Sequence, residues 1–77
     1  MSDLLKRITI KPDLCNGKPT IRGKWITVQT ILEFLAAGDS EAEILANYLT
    51  LNSDDIKACL EFAAVIAGNS LELNDVA

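Results

Sequence analysis

With 77 residues, 49% of them apolar, and no histidine, the chain is one small domain with a marginal core of its own. It lacks the commonest general base and transition-metal ligand. The net charge of −4 hides a split: residues 1–24 carry six Lys and Arg against two Asp, for +4, and residues 25–77 carry one Lys against nine carboxylates, for −8. No stretch resembles a signal peptide or reaches membrane-span length, so a cytoplasmic protein with no membrane partner and reduced thiols is expected.

In chain order, residues 7–11 alternate polar and apolar side chains, the period-two pattern of a short half-buried strand that Pro12 ends. Residues 13–19 are turn formers. Thr20-Ile21-Arg22 and Trp25-Ile26 flank Gly23 as the arms of a tight ribbon, which lifts Lys18, Arg22 and Lys24 towards solvent. Trp25, the only Trp, is expected in the core. Isolated two-stranded ribbons are marginal in water, so pairing of two such ribbons in a homodimer is expected.

Three helices follow. Thr27 is an N-cap for a helix with Val28, Ile31, Leu32 and Leu35 on one face, and Gly38 ends it. Ser40 and Glu43 form a capping box for a second helix, which turns Ile44, Leu45 and Tyr48 inward and stops near Leu49. Asn52 or Ser53 caps the third, with Asp54 and Asp55 at its positive end and Gly68 as its stop. Its core stripe is Ile56, Cys59, Leu60 and Ala63, and Phe62, Val65 and Ile66 widen the apolar face beyond what one small body needs. The expected organisation is a single domain: a basic β-ribbon region (1–26), a three-helix body (27–68) and a flexible tail (69–77). The class is mainly α, a helix-turn-helix-like body preceded by a short N-terminal β-ribbon.

The wording GKPTIRGKWITV from Gly17 to Val28, with the helical segments after it, resembles a small prokaryotic family known as domain of unknown function 433, from about Ile8 to Phe62. That resemblance implies a homeodomain-like helical body and antitoxin-type proteins, often encoded beside a toxin that resembles PIN-type ribonucleases. The usual family wording runs roughly GKPVIRGTRIPV. Here Lys24 stands where Thr is common, Trp25 where Arg is common and Thr27 where Pro is common, and Tyr48-Leu49-Thr50-Leu51 replaces a segment close to YPHLT.

Catalytic chemistry is not expected. There is no GxSxG elbow, Walker loop or GxGxxG fingerprint, and Cys15 and Cys59 make no metal-ligand spacing, so no metal or other cofactor is expected. The leading expectation is an antitoxin-like interaction module that neutralises a PIN-type ribonuclease toxin through Phe62, Val65, Ile66, Leu71 and Leu73, and autoregulates its operon. The alternatives are a DNA-binding regulator that contacts operator DNA through Lys6, Arg7, Lys18, Arg22 and Lys24, or a purely structural homo-oligomer. The early residues of the third helix, Asp54, Asp55, Lys57 and Glu61, are too acidic for a recognition helix.

Overall fold

The computed structural model describes residues 3–70. A 3₁₀ helix, Asp3–Arg7, leads into β1 (Ile8–Thr9), which pairs antiparallel with β2 (Thr20–Ile21) in the register Ile8 to Ile21 and Thr9 to Thr20. A second 3₁₀ turn, Cys15–Gly17, lies between the strands, and three α-helices complete the described chain: α1 (Val28–Ala36), α2 (Glu41–Asn47) and α3 (Ser53–Ser70). The protein is therefore mainly helical, with a two-stranded sheet at its N-terminal end.

The strand is shorter than the alternation over residues 7–11 predicts, because the 3₁₀ helix runs through Arg7 and Ile10 already faces solvent. The ribbon turns at Arg22 and Gly23, with φ of 51° and 71°, while the Lys24 amide donates to the Ile21 carbonyl at 2.9 Å. Two successive positive φ angles are what a primed hairpin turn requires. Gly adopts such an angle without strain, whereas an Arg there is held by what its side chain reaches. The Ile21 amide then donates to the Ile26 carbonyl, and Thr20 bridges Thr27.

Each helix begins with a side chain accepting from an otherwise unpaired amide. The Thr27 hydroxyl accepts from the Thr30 amide at 3.1 Å. Ser40 accepts from the Glu43 amide at 3.1 Å while Glu43 accepts from the Ser40 amide at 2.7 Å, the reciprocal box expected from the sequence. At α3, Asn52 Oδ1 accepts from the Asp55 amide at 3.1 Å and Asp55 Oδ2 accepts from the Asn52 amide at 3.0 Å, a second reciprocal pair closed by an Asp. Gly38, at φ 101°, follows the last turn of α1. Gly68 does not stop α3, which continues to Ser70: Gly lowers helix propensity by only about 1 kcal/mol, and nothing there forces a positive φ.

The core is aliphatic. Ile21, Val28, Ile31, Ile44, Leu51, Ile56 and Cys59 are buried together, and half-buried Phe34, Leu35 and Tyr48 close over them. Phe34 and Tyr48 meet as a tilted ring pair with centroids 6.0 Å apart. Two expectations fail at this level. Leu60 is 49% exposed, because the buried stripe of α3 runs through Asp55, Ile56, Ala58 and Cys59 instead. Trp25 is 79% exposed. It precedes Ile26, which packs on the core, and successive extended residues face opposite ways, so Trp25 points outward.

Candidate functional site

The two arginines of the N-terminal region converge on one buried carboxylate. Arg7, entering β1, donates from Nη1 to Asp55 Oδ1 at 3.1 Å, and its Nη2 lies 3.6 Å from Asp54 Oδ2. Arg22 donates from Nη2 to Asp55 Oδ2 at 2.8 Å and to the Thr50 carbonyl at 2.6 Å. Asp55 is fully buried, and the two arginine side chains are 30% and 35% exposed. Two guanidinium groups thus face two carboxylates in a charge-balanced cluster. It ties the strand region to the start of α3.

This cluster answers where the expected nucleic-acid contacts sit. Arg7 and Arg22 direct their guanidinium groups at the buried Asp55, although part of each side chain stays open to solvent. Lys6 pairs with Asp3 at 3.4 Å on the open surface, a contact of little energetic value. Of Lys18, Arg22 and Lys24, all expected to face solvent, Lys18 is exposed, Lys24 is half-buried, and Arg22 is exposed at the turn while its guanidinium is held by Asp55 and the Thr50 carbonyl. Sequence reasoning placed Asp54 and Asp55 as capping residues and missed the burial of Asp55. An Asp three residues after an Asn reads as a cap, and its partners are 48 and 33 positions away.

A different feature opens on the other side. An apolar groove of about 630 Å³ runs between α1 and the C-terminal half of α3. Along α1 its wall is built from Val28, Leu32 and Ala36, with Gln29 and Glu33 at positions one residue further on. Along α3 it is built from Phe62, Ala63, Ile66 and Ala67, and Pro19 closes one side. These positions repeat at four-residue steps, so each helix contributes a continuous stripe. The alanines at 36, 63 and 67 keep the groove concave between larger side chains. Its wall offers almost no polar surface. The charged residue in the lining is Glu33, whose Oε2 accepts from Gln29 Nε2 at 3.1 Å.

Of the residues expected at a partner surface, Phe62 and Ile66 line this groove. Val65 is half-buried and is not part of its wall. Leu71 and Leu73, with the rest of the expected tail beyond Ser70, lie outside the described residues. The α1 side of the groove was not foreseen: Val28 and Leu32 read as core positions, and the small residues beside them carry no periodic signal of their own.

A smaller recess of about 260 Å³ lies between Phe34, Asp39, Glu43 and Tyr48. The Ser40 amide, and after it the Ser40 hydroxyl, hold the Glu43 carboxyl below the ordinary glutamate value. Cys59 is buried, and desolvation, with the nearby charge of Asp55 second, pushes its thiol up to about 11. A thiol held neutral in this way is a poor nucleophile. Among the described residues, no group of three or more His, Cys, Asp or Glu is placed to hold a metal ion, and no helix is long and apolar enough to cross a membrane.

The comparisons with known proteins bear on the same residues. The family model described as "Protein of unknown function (DUF433)" matches residues 8–63, from β1 to the groove-lining turn of α3. The chain belongs to the DUF433 family. A crystal structure of a DUF433 member from Anabaena variabilis is similar to it, with a TM-score of 0.73 and 29% sequence identity over 90% of this chain. The chain spans 65% of that Anabaena chain. A comparison with curated proteins returns no match. Both the Arg7–Asp55–Arg22 cluster and most of the groove thus fall within or beside the segment that defines the DUF433 match.

Proposed function

We propose that this DUF433 chain is an interaction module of antitoxin type, which takes a basic partner protein on the face formed by α1 and the C-terminal half of α3. The observation that carries this reading is the open apolar groove with Glu33 in its wall and no cation among its lining residues. Small domains commonly use such patches for association, and acidic residues beside them favour a basic partner. The excess of carboxylates after residue 24 extends the same preference. The family resemblance implies a PIN-type ribonuclease as that partner, with neutralisation by occlusion as the activity.

The test is co-expression with the product of the adjacent gene. The expected result is a complex that survives purification, and a neighbour that inhibits growth unless this chain is present. A neighbour that neither co-purifies nor inhibits growth alone overturns the antitoxin reading.

A second reading has one observation in its favour. Trp25 is largely exposed beside Lys24 and follows exposed Lys18, a combination suited to nucleic-acid contact and to autoregulation of an operon. On that reading two copies pair through their ribbons, which size-exclusion elution across micromolar concentrations would report. Gel-shift affinity for upstream DNA should fall steeply with salt and weaken on Trp25→Ala or Lys24→Ala. Absence of a shift at low salt removes this reading.

A further inference from the structure

We infer that the occupant of the α1/α3 groove is an amphipathic α-helix of the partner, carrying a Lys or Arg that meets Glu33. This deepens the proposed function and rests on it for the partner's identity, but the shape and chemistry of the groove argue for the occupant independently.

The walls come first. Both are helices that turn almost no polar surface into the groove, and the remaining wall is Pro19, which has no amide hydrogen. The Pro19 carbonyl already accepts from the Val28 amide at 3.0 Å. An extended segment laid in this groove would find no sheet edge to pair with. Its own amides and carbonyls would be removed from water against an apolar wall, at a cost of roughly 1–3 kcal/mol for each group left unpaired. A helix enters with its backbone already satisfied. Helix-in-groove recognition is the mode that fits such walls.

The dimensions agree. The lining stripe of α1 spans residues 28 to 36, roughly 12 Å at the rise of an α-helix, and the α3 stripe covers residues 62 to 67 beside it. A helix places apolar side chains at i, i+3, i+4 and i+7 within about two turns, which is that length, so a helix of three to four turns covers the groove with its ends beyond it. The charge then fixes the flank. Glu33 lends its stem to the wall and holds its exposed carboxylate at the rim, where it accepts from the Gln29 amide, so a cation on the incoming helix gains a charge-assisted hydrogen bond there. A second copy is the rival occupant, since α3 also exposes Lys57 and Leu60 on one face. The acidic excess of residues 25–77 works against bringing two such bodies together.

The experiment titrates the full chain with a synthetic amphipathic peptide of three to four turns, built from Leu and Lys at helical spacing, and follows affinity and peptide helicity. The expected result is saturable binding with a gain of helix. Affinity should weaken by about tenfold or more on Ile66→Glu and on Glu33→Lys. It should change by less than about threefold on Asp13→Lys, which alters the charge equally at an exposed loop position outside the groove wall. Glu33 is exposed, so its variant remains informative if the Ile66 variant is poorly folded. Absence of binding overturns the inference, as does equal weakening by all three variants, which would mark general charge attraction. Binding without helix formation also overturns it. Concentration-dependent self-association that Ile66→Glu abolishes assigns the groove to a second copy instead. Peptide binding without co-purification of the neighbouring gene product would remove the antitoxin reading alone. Co-purification without peptide binding would move the toxin contact off the groove.

Discussion

The two halves of α3 face opposite problems. At its N-terminal end a carboxylate lies fully buried between two arginines, with each of its oxygens paired to one of them. At its C-terminal half, Phe62 and Ile66 line a groove that no described residue fills. Two of the charges that look available for a ligand in the sequence, Arg7 and Arg22, are internal fastenings, and part of the aliphatic surface that looks like core is left open. In a chain this small, the sign of a residue's hydropathy is a poor guide to which side of the surface it occupies, because a few long-range contacts decide it.

The contrast breaks most visibly at Asp55. Asp55→Ala removes the partner of both guanidinium groups and half of the α3 cap. The arginines are about one third exposed and regain some water, so the expected loss is about 2–3 kcal/mol, or on the order of 10–20 °C in melting temperature. Urea unfolding followed by circular dichroism measures it. Combining Asp55→Ala with Arg22→Ala should cost less than the sum of the single losses, by roughly 1 kcal/mol. Full additivity would mean that the cluster is not a cooperative unit.

Gly23→Ala is next. The Cβ would meet nothing within 4 Å, so the penalty is the φ of +71° alone, about 1 kcal/mol. A larger loss in the same unfolding assay would mean that the turn is coupled to the cluster through Arg22.

Acid sensitivity sharpens the comparison at α2, where a charge is fastened on the open surface. Glu43 has a lowered folded-state pKa, so its contribution is present above the ordinary glutamate value and lost as pH falls through the lowered one. Glu43→Gln should therefore flatten the fall in melting temperature below about pH 5. An unchanged pH profile would deny the box its ionic component.

The smallest effect belongs to the groove. Ile66→Glu alters an exposed side chain and should shift stability by no more than about 0.5 kcal/mol. A melting shift near that of Asp55→Ala would show that the groove face belongs to the core after all.

Local signals were readable before any coordinates. Thr27, the Ser40–Glu43 box, Asn52 and the glycine after α1 set the helix starts and the first helix end, since each acts within one turn of the backbone. The ribbon turn at Gly23 was readable for the same reason. The site was less so. Phe62 and Ile66 stood out because α3 is apolar over too wide an arc, but the opposite wall consists of α1 residues whose spacing is that of any buried face. Trp25 misled because large aromatic residues favour interiors in general, while here the inward place beside it is taken by Ile26. Asp55 misled because its burial depends on two arginines far away in sequence, one of them held at a positive φ.

That arginine couples elements that lie far apart in the sequence. From one residue, the Arg22 amide donates to the Arg7 carbonyl across the sheet at 2.7 Å, while its guanidinium reaches the Thr50 carbonyl and the first turn of α3. The ribbon is therefore fastened to the helical body only once α3 is in place. A ribosome must release Asp55, 33 positions beyond Arg22, before the contact that fastens the ribbon to α3 can form.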